Sequence, residues 1–222
     1  MAKTLNLEDL YSRLRKENGH QHWWPGNTDD EIIIGAMLTQ QASWKNVELA
    51  MDNLRRAGCL SLRKIDSMDL HDLEGCVKPS GFYRQKAARL KAFARHVYSS
   101  HGSLGRMLSG RAGTLRKELL ELDGIGPETA DSILLYAAGK PAFVIDAYTK
   151  RIMNRIYGLD KDIGYYELQE HITSRIRKDA GLYNDFHAQL VELGKNHCRT
   201  KPLCNMCPII QYCRHGRKNA QR

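Results

Sequence analysis

No apolar run in this 222-residue chain is long enough to cross a bilayer: residues 32–34 and 133–138 are among the longest, against the roughly twenty that a spanning helix needs. The opening stretch MAKTLNLEDL lacks an apolar signal core, so the expected location is the cytoplasm. Internal repeats and low-complexity tracts are missing too, and no alternation of apolar and polar residues persists long enough to predict a strand. Acidic residues are absent from residues 195–222, where Lys195, Arg199, Lys201, Arg214, Arg217, Lys218 and Arg222 stand unopposed. That tail carries +7 of the net +9. A positive balance fits a nucleic-acid partner or serves solubility alone, so where the charge sits says more than its sum.

What is present reads almost entirely as helix, in one or two domains by length. Apolar recurrence at three and four predicts helices over residues 5–17, 30–41, 44–57, 84–99, 114–122, 127–138, 146–157, 165–179 and 183–196. Breaks rich in Gly, Pro, Asn or Ser fall at 24–28, 78–81, 101–105, 158–164 and 180–183, and the residues after Arg214 read as disordered. Arg84, Lys86, Arg89, Lys91 and Arg95 recur at mostly helical spacing, either as a solvated face or as a stripe facing phosphates.

Four of the six cysteines, Cys198, Cys204, Cys207 and Cys213, fall in a C-x5-C-x2-C-x5-C cluster. Without a secretory signal, metal ligation is the preferred reading over disulfides, and four thiolates suit zinc or an iron–sulfur centre. Cys59 and Cys76 read as small buried hydrophobes.

The most informative stretch is LDGIGPETADSILLYAAGKPAFVID, residues 122–146. Gly124 and Gly126 permit the positive φ and close approach of a tight turn between helices, and Pro127 presets φ at the first helical position. Backbone N–H groups there would face an anion. Asp146 follows the apolar run 142–145, which shields its carboxylate from water. Beside a DNA clamp, a shielded carboxylate suggests catalysis, and a helix N-cap role is compatible with it.

The pattern L-x-G-[IV]-G-x-x-[TS]-A followed by this Asp resembles the helix-hairpin-helix DNA glycosylases of the endonuclease III superfamily. That resemblance implies an all-α fold of two helical lobes with the active-site cleft between them. Residues 28–140 would form the barrel lobe with the hairpin, and 1–24 plus 146–222 the second lobe carrying the cysteine loop. The loop resembles the family's C-x6-C-x2-C-x5-C, one residue shorter in its first gap, and implies a four-iron four-sulfur cluster rather than zinc. Bifunctional members carry a Schiff-base Lys in the hairpin where this chain has Glu128, which cannot form an imine, so no lyase step is expected. Asp146 matches the family's Asp, thought to stabilise an oxocarbenium-like sugar and to orient or deprotonate water.

Within the superfamily, WWP at Trp23–Pro25, LTQ before Trp44, PSGFYRQKA and the Glu-bearing hairpin resemble the 3-methyladenine DNA glycosylases, although that subgroup lacks the cysteine loop. By that resemblance Trp24, Pro25 and Trp44 sandwich the flipped base, Gln41 fills the gap it leaves and Phe82 is the intercalating wedge. Glu128 is either a macrodipole partner or a pocket carboxylate, and Lys150 forms an ion pair or contacts phosphate. The expected function is monofunctional excision of an alkylated purine such as 3-methyladenine from double-stranded DNA, by a monomer associated with the nucleoid. Mismatch thymine or uracil excision, and noncatalytic binding of DNA structure, are the alternatives.

Overall fold

The computed structural model describes residues 5–220, and helices and turns make up its regular structure, with no strand among the described residues. Residues 1–4 and the cationic Arg222 lie outside them. Two compact units form: one from Trp24–Lys140, the other from residues 5–23 with 141–220. Helix α1 (Leu7–Asn18) opens the second, discontinuous unit.

The continuous unit contains α2 (Asp29–Leu38), α3 (Trp44–Arg56), α4 (Leu62–Ser67), α5 (Leu70–Val77), α6 (Tyr83–His96), α7 (Leu104–Ser109), α8 (Ala112–Glu121) and α9 (Pro127–Ser132). Thr28, Ser43, Ser61, Asp69 and Ser103 start five of these, each accepting a first-turn N–H on its side chain, worth about 1 kcal/mol apiece. Helix α2 buries every residue from Ile33 to Leu38, as a helix surrounded on all sides must. The sequence pattern missed α4, α5 and α7. At six to eight residues they complete too few turns for a 3.6-residue period to show, and their caps and packing define them instead.

Two helices predicted as unbroken widen before they end. Turns of π type follow α6 at Val97–His101 and α9 at Ile133–Ala137. In the second, the Ser132 hydroxyl bonds the Glu128 carbonyl at 2.7 Å, and the Ala138 N–H reaches back five residues to Ile133. Serine back-bonding of this kind disturbs the α-helical ladder.

The discontinuous unit also holds α10 (Ala147–Tyr157), α11 (Tyr165–Thr173), α12 (Ala180–Asn196) and α13 (Arg214–Ala220), with α1 packed on α12, and α12 and α13 on α10. Asp185, 2% exposed, ties α12 to α1 and the chain after it: Tyr11 donates at 2.9 Å, Arg15 at 2.5 Å and the Gln21 N–H at 3.2 Å. At Gly194 a Cβ would overlap the Tyr148 ring, so this glycine is what lets α10 and α12 lie close. Three expectations are corrected here. Helix 165–179 stops at Thr173; the break at 180–183 is the first turn of α12, capped by Asp179 on the Leu182 N–H at 2.7 Å; and the residues after Arg214 form α13 as far as Ala220. Arg214 lies where a Cβ on Gly158, the left-handed C-cap of α10, would intrude, so packing orders a segment whose terminal position suggested disorder.

Candidate active site

The hairpin between α8 and α9 is closed by the Ile125 N–H on the Leu122 carbonyl, 3.1 Å, with Ile125 buried beneath it. Gly124 has φ +77°, and a Cβ there would collide with the Arg89 side chain, which pairs with Asp123 at 3.1 Å. Gly126 is different from the expectation: its φ of −88° is extended backbone that any residue adopts, so it needs no glycine for conformation and contributes only a bare, exposed approach. Gln40 braces the turn from α2's end, donating to the Gly124 carbonyl at 2.8 Å and the Thr129 hydroxyl at 3.0 Å. Behind it, Arg116 donates from Nε and Nη2 to the two carboxylate oxygens of the fully buried Asp131, at 2.6 and 3.0 Å, clamping α8 to α9. Glu128 sits exposed in the first turn of α9, immediately after Pro127.

Asp146 is the N-cap of α10. Its Oδ1 accepts the Thr149 N–H at 2.7 Å, and its Oδ2 lies 3.6 Å from His187 Nε2 on α12. The Asp146 side chain is 15% exposed and that of His187 5%. Burial pushes the carboxyl up, but His187 and Thr149 outweigh it and hold it below the usual carboxylate range. It is therefore an anion at neutral pH. Lys150, half-buried one turn on, donates its backbone N–H to the Asp146 carbonyl at 3.0 Å. His187 was not foreseen, because nothing local in the sequence marks a histidine 41 positions downstream as a neighbour of Asp146.

In the continuous unit the Trp24 and Trp44 rings meet edge to face, centroids 5.5 Å apart at 83°, and Tyr136 stacks obliquely on Trp24 at 5.2 Å. Trp44 donates to Glu48 at 2.8 Å and lines an open groove with Pro25, Glu48 and Asp52. With the rings in edge contact there is no slot for a base between them, so a sandwich requires one indole to rotate. Gln41 and Phe82 share an unusual backbone: with His22 they are the non-glycine residues at positive φ among the described residues, at +52° and +45°. Phe82 is also 62% exposed. Left-handed backbone costs roughly 1–2 kcal/mol in such residues, and strain of this kind gathers at functional positions.

The basic stripe on α6 divides. Lys86 is buried, its ammonium bonded to the Leu38 and Ser80 carbonyls at 2.7 Å each, so it is an internal strut. Lys91 bonds the carbonyls that end α4, and Arg95 lies 3.8 Å from Asp66. Arg84 and Arg95 are the members that stay largely in solvent.

Cys198, Cys204, Cys207 and Cys213 line one cavity, and all four thiols are free. Burial pushes the Cys207 thiol up to about 11 and raises Cys213 as well, so those two become thiolates only against compensating cationic charge. Backbone and guanidinium N–H groups already point at sulfur: Gly216 to Cys213 and Arg155 to Cys198, both 3.3 Å. The donor set fits a four-thiolate metal centre. Arg151 and Arg155 on α10 also bond the carbonyls of Cys198, Arg199 and Thr200 at 2.7, 2.5 and 2.9 Å. Cys59 and Cys76 depart from the expectation of full burial: both are partly exposed and line a groove with His71 and Asp72.

A glycine hairpin between packed helices, an all-helical fold and a capped, shielded aspartate together describe a helix-hairpin-helix DNA glycosylase. The chain belongs to the HhH-GPD superfamily of base excision DNA repair proteins, whose family model matches residues 34–178. It is 42% identical over 206 residues to a Methanocaldococcus jannaschii protein described as a candidate DNA repair glycosylase, covering 92% of this chain and 94% of that one. It is 31% identical to Thermotoga maritima endonuclease III, covering 97% and 95%. Among solved structures, an H. pylori 3-methyladenine DNA glycosylase bound to 1,N6-ethenoadenine superposes with a TM-score of 0.76 at 29% identity, over 86% of this chain and 98% of the other. An endonuclease III–DNA complex shares the fold, with a TM-score of 0.82. No helix among the described residues is long and apolar enough to cross a membrane.

Proposed function

We propose that the chain is a monofunctional glycosylase that flips an alkylated purine such as 3-methyladenine out of double-stranded DNA and hydrolyses its N-glycosidic bond, acting as a monomer. The observation that carries the hydrolytic reading is Glu128, an acid in the first turn of α9 where a lyase would need an amine. The buried Lys86 is committed to two carbonyls and is no substitute nucleophile.

Asp146 then serves as the ionised carboxylate that stabilises positive charge developing on the sugar and orients or deprotonates the attacking water. With Oδ1 committed to the α10 cap, Oδ2 is the oxygen for that task. A methylated purine is itself cationic and leaves readily. Stacking on Trp24 or Trp44 offers it a cation–π gain of about 1–2 kcal/mol once desolvated. Phe82 is the wedge, Gln41 the gap filler, and the backbone at Gly124 and Gly126 the phosphate contact, with Lys150 a further cation for DNA.

Cys198, Cys204, Cys207 and Cys213 would hold a four-iron four-sulfur cluster in preference to zinc. Its contribution is structural: a compact metal-centred loop that Arg151 and Arg155 fasten to α10, the helix Asp146 caps. Mismatch thymine or uracil excision is the second reading, favoured by a 27% identical relative from Aeropyrum pernix named a thymine-DNA glycosylase.

Single-turnover excision on duplexes containing 3-methyladenine, 7-methylguanine, uracil, or thymine opposite guanine separates the two. Alkylpurine release lost in Trp44→Ala and Asp146→Asn supports the first, and release of thymine or uracil alone supports the second. A protein that binds these duplexes and releases no base, with its cluster loaded, defeats both.

A further inference from the structure

The continuous unit gathers three ligating side chains that the glycosylase reading does not use. His96 ends α6, His101 ends the π-type turn after it, and Glu118 lies on α8. Both histidines direct Nε2 at the same Glu118 oxygen, at 2.6 and 2.5 Å, and one ligand atom from each residue lies within 4.8 Å of the other two. Their side chains are 27%, 26% and 24% exposed, so the cluster is anchored below and open to solvent on one face.

The backbone is adapted to this convergence. Residues five apart on an α-helix point about 140° away from each other. The widened turn Val97–His101 takes up that rotation and brings the two imidazoles to centroids 5.9 Å apart. Such turns concentrate at functional sites.

We propose that His96, His101 and Glu118 form a three-ligand site for a divalent transition-metal cation of the Zn2+ class, with a fourth position open to water. Two imidazole nitrogens and one carboxylate oxygen are a borderline-soft donor set that suits Zn2+, whereas Mg2+ and Ca2+ prefer oxygen throughout. With metal–ligand bonds of about 2.0–2.1 Å, the ligand atoms of a tetrahedral site stand farther apart than the present contacts, so small side-chain rotations open the cluster around the ion. Each imidazole then carries its one proton on Nδ1. Bound metal would tie the end of α6 to α8, the helix that leads into the hairpin.

The test is titration of ZnCl2 into the cluster-loaded full chain after EDTA treatment and desalting, followed by calorimetry and thermal unfolding, alongside His101→Gln and Glu118→Gln. Each glutamine keeps a hydrogen-bonding group in place. Wild type should bind one equivalent more than either variant and show a raised Tm. Loss of a ligand should weaken that binding by roughly a hundredfold or more, above what supporting partners alone cost. Equal Zn2+ uptake by all three proteins, or no uptake, overturns the proposal. Should the variants fail to fold, Cu2+ bound to the wild type supplies the readout: electron paramagnetic coupling to two imidazole nitrogens supports the site, and coupling to none overturns it.

Discussion

Phe82→Asn separates strain held for function from strain held for folding. At φ +45° and ψ +33°, Phe82 occupies left-handed backbone with no side-chain cap on α6, and 62% of it faces solvent. An asparagine tolerates that backbone and recovers on the order of 1–2 kcal/mol. Against this, the buried two-fifths of a ring that can cover roughly 200 Å² is worth about 2 kcal/mol at 25 cal/mol per Å². The two nearly offset, so urea or thermal unfolding should change by no more than about 1 kcal/mol. Excision should respond quite differently. Unstacking a base step costs a few kcal/mol, and if the ring supplies even 1.4 kcal/mol of that, its loss slows single-turnover excision about tenfold. Pre-flipped substrate, with the target base in a bulge, should restore much of the rate. A variant that excises at the wild-type rate while losing several kcal/mol of stability would show that Phe82 is a packing residue and refute the wedge.

Three further outcomes follow from the same geometry. Asp146 has a folded pKa below its unfolded value, so its contribution to stability is present above the unfolded value and disappears as pH falls through the folded one. Removing His187 takes away its two lowering influences on Asp146, and His187→Asn should therefore move the acid limb of the excision rate to higher pH, an unmoved limb counting against the pair. Arg116→Met leaves Asp131 buried without its bidentate cation and should cost about 3–5 kcal/mol in denaturant unfolding, whereas Arg116→Met with Asp131→Leu should recover most of it; a loss below about 0.5 kcal/mol from the single change contradicts the clamp. Glu128→Lys places an amine where bifunctional relatives have one, and borohydride should then trap a covalent adduct with abasic DNA that the wild type does not give.

How much of this was written locally can be judged residue by residue. The hairpin was legible because its requirements are local: Gly124 must take φ +77° and Pro127 must start a helix, and both demands fall on the residue that meets them. Asp146 was legible for the same reason, since an acid directly before an amphipathic stretch is a cap whatever else it does. Gly126 shows the limit of that reasoning, as a glycine in a motif need not be in glycine's conformation. What stayed hidden was set by contacts between distant segments: His187 on Asp146, Arg155 on the cysteine loop, Arg116 on Asp131, and the order of α13 beyond Arg214. No periodicity or propensity encodes such pairs. They bear on chemistry all the same, because a capping aspartate has one oxygen committed to the helix, and the state of the other depends on what α12 brings to it. A sequence that fixes the cap locally therefore leaves the carboxylate's acidity to tertiary structure, which is why the residue can be named from its motif while its pH behaviour must be read from His187.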